Sequence, residues 1–235
     1  MPVFRYSPDL LARYPELVGG VIVAHGLRNG PSSAALQDAY TAEQEATVRR
    51  IGDTPLSQIP TLAAWRSAFR AFGVDPTQYR CAAEALLRRL TKKGDIPSIN
   101  TLVDLGNLVS IRYALPVAVF DTRALQPPLT VRFATGVERF TTLGEAEADH
   151  PAPGEVIFAD EANSVYARRW CWRQSDASAA RADTTAALIT VEAHHAQARA
   201  DIRAALDDLL TLLGEHAGGE HTATILDRDH AQVEE

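Results

Sequence analysis

Lysine is nearly missing from this chain of 235 residues: it occurs only as Lys92 and Lys93, so almost all of the 23 basic residues are arginine. There are two cysteines, Cys81 and Cys171, too few and too far apart for a zinc site or a disulfide framework, and free thiols are expected. No uninterrupted apolar run approaches the roughly 20 residues that span a bilayer. The N-terminal Met1-Pro2-Val3-Phe4-Arg5 also lacks a basic segment followed by an apolar one, so a cytoplasmic location with no membrane partner is expected. Basic charge is in deficit overall: 23 basic residues face 30 acidic ones, a formal net charge of -7, which argues against indiscriminate nucleic-acid binding. Local basic patches remain, from Arg66 to Lys93 and from Arg168 to Arg173.

Several chemical signatures are absent too. No serine sits in a Gly-x-Ser-x-Gly elbow, and Cys81 has no base partner evident in sequence. Val18-Gly19-Gly20 leads into strand-like rather than helix-like sequence, so it is no phosphate loop. His194 and His195 adjoin Glu192, but neighbouring residues point apart on a helix or a strand, so a metal site is not expected and the histidines read as solvated. No cofactor is called for.

What is present is an ordinary globular composition, 46% hydrophobic, in a length suited to one principal domain. Leu17–Gly26 reads as a buried strand, and Ala34–Ile51, Thr61–Ala71 and Tyr79–Leu90 read as helices, the last with a basic outer face. Leu115–Phe120 is strand-like. Leu129–Phe133 and Glu138–Thr141 read as an antiparallel pair, followed by strands at Glu155–Asp160, Val165–Arg173 and Thr184–Val191. Ala196–Leu213 carries the apolar stripe Ile202, Leu206, Leu209, Leu210 and Leu213 of a helix that covers a sheet. The expectation is an α+β fold, a single domain over residues 1–214 with a mostly antiparallel or mixed central sheet flanked by helices, and a flexible tail over 215–235.

Two polar stretches stand out. Arg168-Arg169-Trp170-Cys171-Trp172-Arg173-Gln174 holds two of the three tryptophans among three arginines. Arginine stacks on indole faces and forks onto anions, which suits a ligand site. As a plain strand, Trp170, Trp172 and Gln174 would share one face and the tryptophans would be core. The second stretch is Asn100-Thr101-Leu102-Val103-Asp104-Leu105-Gly106-Asn107-Leu108-Val109-Ser110, where Asp104 and Asn107 interrupt an apolar run. Buried polar groups must be paired, so each either braces backbone or faces a pocket.

With these stretches in hand, the chain resembles the B3/B4 domain family, which comprises the tRNA-binding editing domain of the phenylalanyl-tRNA synthetase beta subunit and its free-standing relatives. The resemblance is carried in order by Tyr79 to Arg89, Ile99 to Asn107, Leu115-Pro116-Val117-Ala118-Val119-Phe120-Asp121, Pro153 to Ile157, and Arg168 to Gln174 followed by Asp183-Thr184-Thr185. It covers about residues 60–195 and fits the free-standing branch best. It implies an α+β domain with a pocket in which a wrongly attached amino acid is removed from tRNA by ester hydrolysis. Asn107 and Gln174 would then orient water or carbonyl, Asp104 and Gly106 would bind substrate from the pocket-lining stretch, Trp170 or Trp172 would shape the pocket, and Arg173 would contact an anionic or aromatic group of the substrate. Arg80, Arg88 and Arg89 would contact RNA. Two positions depart from the synthetase pattern: Ala118 stands where it has a histidine, and Gln174 is the nearest counterpart of a glutamate at the end of a Gly-rich strand. The expected partner is tRNA or aminoacyl-tRNA, with hydrolysis in trans. Other readings are a non-catalytic module for an amino acid, a metabolite or RNA, and an enzyme for another acyl substrate.

Overall fold

The computed structural model describes residues 2–145 and 147–234. The chain opens with strand β1 (Pro2–Tyr6) and the short helix α1 (Pro8–Arg13), then runs through β2 (Val18–His25) into α2 (Ala34–Ile51). Helices α3 (Pro60–Ala71), α4 (Ala82–Lys93) and α5 (Thr101–Tyr113) follow, then β3 (Val117–Asp121) and β4 (Leu129–Phe133). Short strands β5 (Phe140–Thr141) and β6 (Ala148–Asp149) precede β7 (Val156–Ala159), β8 (Val165–Arg168), β9 (Arg173–Gln174) and β10 (Ala186–Ala193). The chain ends with α6 (Ala198–His216), β11 (Glu220–Leu226) and β12 (Gln232–Glu234).

Local chemistry sets these boundaries. Ser33 caps α2 by accepting from Leu36 N at 3.3 Å, and Asn100 caps α5 by accepting from Val103 N at 3.1 Å. Pro60 opens α3, where its missing N–H costs nothing. Gly94 ends α4 in the left-handed conformation, φ 83°.

Among the described residues the strands form a six-stranded sheet in the order β12-β1-β4-β7-β8-β9, a four-stranded sheet in the order β11-β2-β10-β3, and the small β5-β6 pair. The four-stranded sheet is antiparallel throughout, whereas β1 and β4 run parallel within the larger one. The fold is α+β with a mixed sheet, as its pattern implied. Phe158 of β7 meets Phe120 of β3 at 5.4 Å and Phe4 of β1 at 6.2 Å, joining the two sheets through one core. Helix α6 buries Ile202, Leu206, Leu209 and Leu213 against the smaller sheet.

Three expectations need correction. Within the expected tail over 215–235, the described residues 215–234 are not loose, because β11 adds to the edge of β2 and β12 to the edge of β1, so each recovers backbone hydrogen bonds that an exposed edge leaves unpaired. Leu129–Phe133 does not pair with Glu138–Thr141. The buried Glu138 carboxylate folds back onto Thr135 N (3.0 Å) and Gly136 N (2.9 Å) and pairs with Arg132, which pulls its pKa down to about 2 despite burial and diverts the chain, so β4 pairs with β1 and β7 instead. Finally, Val165–Arg173 is no continuous strand. It breaks after Arg168, where Arg169 (φ 43°) and Trp170 (φ 60°) both adopt positive φ.

Candidate functional site

The break after Arg168 creates the site. Non-glycine residues avoid positive φ, at a cost of roughly 1–3 kcal/mol each, so two in succession must be held by their surroundings. Buried Arg168 anchors the approach through Glu155 at 3.0 Å and Asp149, and the same Glu155 carboxylate accepts from Arg169 N at 2.8 Å. Trp170 turns fully inward. Its backbone N–H donates to Val156 O at 2.6 Å, and its ring meets Tyr14, Trp65 and His194 edge to face at 4.9, 5.1 and 4.8 Å. Trp172, which a strand would place on the same face, instead emerges half-buried.

Behind this turn lies a cavity of about 70 Å³ lined by Pro116, Val117, Ala118, Phe158, Ala167, Thr190 and Glu192, with Trp170 to Gln174 as one wall. Glu192 is 2% exposed. Its Oε2 accepts from the Trp170 indole N–H at 3.1 Å, while Oε1 has no hydrogen-bond partner. Burial pushes its pKa up to about 7, only partly opposed by Trp170 and Tyr6. Tyr6 reaches this point because β2 carries Gly19 opposite Glu192. A Cβ there would lie 1.9 Å from the Tyr6 hydroxyl. Gln174 lines the cavity with its amide nitrogen spent on Val119 O at 2.7 Å and Ser178 O at 2.8 Å, leaving only its carbonyl oxygen to offer. Cys171 also lines the cavity. Burial, then the neighbouring Cys81 thiol, push its pKa up, and both thiols are free.

Trp172 and Arg173 are shared with a second depression, a groove of about 470 Å³ whose other walls include Arg80, Arg88, Arg89, Lys92 and Lys93. Among the described residues, no acidic side chain lines it. At its edge, the Arg169 guanidinium lies 3.9 Å from the Tyr79 ring centroid and 4.5 Å from that of Trp172, and Arg173 lies 4.5 Å from Trp172. Arg80 is tied loosely to Glu84 at 3.8 Å and Arg89 to Asp95 at 3.4 Å.

The site residues expected from sequence therefore divide. Trp170, Trp172, Arg173 and Gln174 meet at the cavity together with Ala118, and Arg80, Arg88 and Arg89 line the adjoining groove. Helix α5 stays outside. Asp104 is fully buried and accepts from Ser32 Oγ at 2.6 Å, Ile99 N at 2.9 Å and Ser98, so it braces two loops. Gly106 lets α5 approach β3, since a Cβ there would meet Val119 at 3.3 Å and Val117 at 3.4 Å. Asn107 faces Tyr40 of α2 and does not line the cavity. His194 and His195 are not solvated either: burial pushes His194 down to about 3, and His195 Nε2 lies 2.7 Å from Asp201.

Glu192 and Thr190 were missed. The signal was an acid within the apolar run Ala187-Leu188-Ile189-Thr190-Val191-Glu192-Ala193, the same kind of interruption that marks Asp104.

No curated protein matches the chain. Among solved structures it is similar to an N-terminal fragment of the phenylalanyl-tRNA synthetase beta-subunit from Pyrococcus horikoshii, with 15% identity and a TM-score of 0.49. That match covers 93% of this chain and 50% of the other, so the chain spans about half the length of that fragment. The family model of the B3/4 domain matches residues 64–218, a span that holds every lining residue of both the cavity and the groove, and this chain belongs to the B3/4 domain family.

Proposed function

We propose that this protein binds an aminoacyl-tRNA, seating the esterified amino acid in the cavity and the phosphate-bearing end of the RNA in the groove, and that it hydrolyses the ester in trans. One observation carries the reading: Trp172 and Arg173 form a common wall between an apolar cavity with a buried acid and a groove lined by arginine and lysine, in a chain of net charge -7. Such a pair of sites fits an uncharged-to-cationic acyl group joined to a polyanion. Single-stranded nucleic acid is held by cationic grooves with aromatic platforms, and the Tyr79-Arg169-Trp172-Arg173 stack offers one.

Within this reading Glu192 is the general base. A carboxylate whose pKa is raised to about 7 is half ionised at neutral pH and matched to proton abstraction from water. The Gln174 carbonyl oxygen accepts the second water hydrogen, and Arg173 draws phosphate to the rim. Removing a positioned base costs roughly 10²-fold or more in rate.

The test is release of amino acid from a panel of mischarged tRNAs spanning small and large side chains. The expected result is hydrolysis above the spontaneous rate for at least one member, lowered roughly 10²-fold or more by Glu192→Gln. A double Arg88→Ala/Arg89→Ala variant is expected to raise KM about tenfold, the scale of a charge-assisted hydrogen bond or two, with kcat unchanged. A second reading, a module that binds without reacting, is favoured by Ala118, which puts a methyl group where the synthetase pattern has a histidine. Binding of charged tRNA with no release from any member would establish that reading and end the first.

A further inference from the structure

The cavity discriminates by size and by hydrogen-bond polarity. Cavities that take up a benzene ring measure about 150 Å³, and this one is about 70 Å³. Its walls are not free to spread. Trp170 is locked by Tyr14, Trp65 and His194 around it and by its indole bond to Glu192, at 3.1 Å. Phe158 is wedged between Phe4 and Phe120. Trp172 is clamped by the Arg169 and Arg173 guanidiniums and the edge of Tyr79, with ring centroids 4.9 Å apart. Interiors packed this way deform little, so an aromatic ring has no route to the floor short of displacing one of these rings.

Apart from Arg173, which stacks on Trp172 at the rim shared with the groove, the polar groups lining the cavity can accept hydrogen bonds. Both hydrogens of the Gln174 amide are spent on backbone carbonyls, which leaves its oxygen. Glu192 presents a carboxyl group whose Oε1 makes no hydrogen bond, with the Tyr6 hydroxyl, itself unbonded, facing the same group. Thr190 supplies a hydroxyl, and the apolar lining includes Pro116, Val117, Ala118, Phe158 and Ala167 beside the Trp170 and Trp172 rings and the Cys171 thiol. A ligand that satisfies this set brings its own donors, as an α-ammonium group does. A plain acyl group brings none, and an N-acylated one brings a single uncharged N–H with added bulk.

We infer that the cavity selects a small aminoacyl group with a free α-ammonium, of glycyl, alanyl or seryl size, and excludes aromatic and N-acylated ones. This specificity rests on the proposed binding of an aminoacyl ester at the same site. It is the reverse of what a pocket shaped for an aromatic amino acid would show, and it follows from the two tryptophans that fill the wall.

The test uses stable amide analogues, adenosine carrying a 3′-aminoacylamino group, so that binding is measured without hydrolysis and without the rest of a tRNA. Calorimetric titration of the full chain with the glycyl, alanyl, seryl, phenylalanyl, tyrosyl and N-acetylalanyl analogues gives the affinities. The expected result is that the alanyl or seryl analogue binds at least tenfold more tightly than the phenylalanyl, tyrosyl and N-acetylalanyl ones. Trp172→Ala opens the half-buried rim without touching the deep core, and is expected to narrow the alanyl-to-phenylalanyl ratio by about tenfold. Equal or tighter binding of the aromatic analogues overturns the size rule and leaves the aminoacyl-ester reading standing. Equal binding of the N-acetylalanyl analogue overturns the ammonium rule in the same way. If no analogue binds at all, both the specificity and the reading beneath it fall.

Discussion

At the scale of single residues, two buried titratable groups oppose each other. Glu192 has its pKa raised to about 7 by burial, so in the native protein it holds a proton that the unfolded chain has released. The stability this contributes is fully present below the ordinary glutamate value and is lost as pH rises towards about 7, a change of roughly 3 kcal/mol at 1.36 kcal/mol per unit. His194 behaves in the other sense. It is buried neutral with its pKa lowered to about 3, so its contribution is present above the ordinary histidine value and is lost as pH falls towards about 3. Between the ordinary values of the two groups the slopes offset each other. Glu192→Gln removes one of them, so denaturant titrations are expected to show wild-type stability falling from pH 6.5 to 8 and the variant staying level there. The same substitution separates chemistry from folding: if Glu192 is the base, kcat/KM of the wild type climbs as pH passes about 7. Trp170→Ala is expected to cost about 3–5 kcal/mol, as truncation of a fully buried aromatic does, with a fall in melting temperature to match.

At the scale of elements, the site is built by an interruption rather than by a regular segment. A continuous strand over Val165–Arg173 would have sent Trp170 and Trp172 to one face. The positive φ angles at Arg169 and Trp170 send one indole into the core and the other to the rim. Nothing in the local composition announces that turn, because the residues that favour positive φ, glycine and asparagine, are absent from it. It is held by partners distant in sequence: Glu155, Val156 and Glu192. The helix α5 shows the converse. Its Asp104 and Asn107 were legible as special, but polarity in an apolar run states only that a partner exists. For Asp104 the partners are Ser32, Ser98 and Ile99 N. Asp104→Ala leaves those donors without their acceptor and is expected to cost about 3 kcal/mol of stability. Because α5 lies outside the cavity, ligand affinity measured below the melting transition is expected to change less than threefold.

At the scale of the whole molecule, the termini close the fold. Strand β12 lies against β1 and β11 against β2, so the last residues bind the first ones and complete both sheets at their edges. Deleting residues 215–235 strips those edges and exposes the backbone of β1 and β2. The truncated chain is expected to lose its single cooperative melting transition or to aggregate, measurable by calorimetry and light scattering. Retention of the full melting temperature would show that these strands add nothing. Few large apolar residues and a Gly218-Gly219 pair make this segment look loose in sequence, yet edge strands need backbone pairing more than apolar content.

The sequence by itself determined α3, α4 and α6, whose apolar faces are spelled out at helical spacing, and also α2, β2 and β10, legible from helix-favouring composition and from apolar runs. It also determined the arginine-rich and tryptophan-rich composition of the site and the order of motifs that marks the B3/4 domain. Only the tertiary structure decided that Trp170 is core while Trp172 is rim, that Asn107 faces away from the cavity, and that Glu192 is its buried acid. Each of these turns on which distant group occupies the other side of a side chain. Periodicity records that a face is covered, and the fold alone says by what.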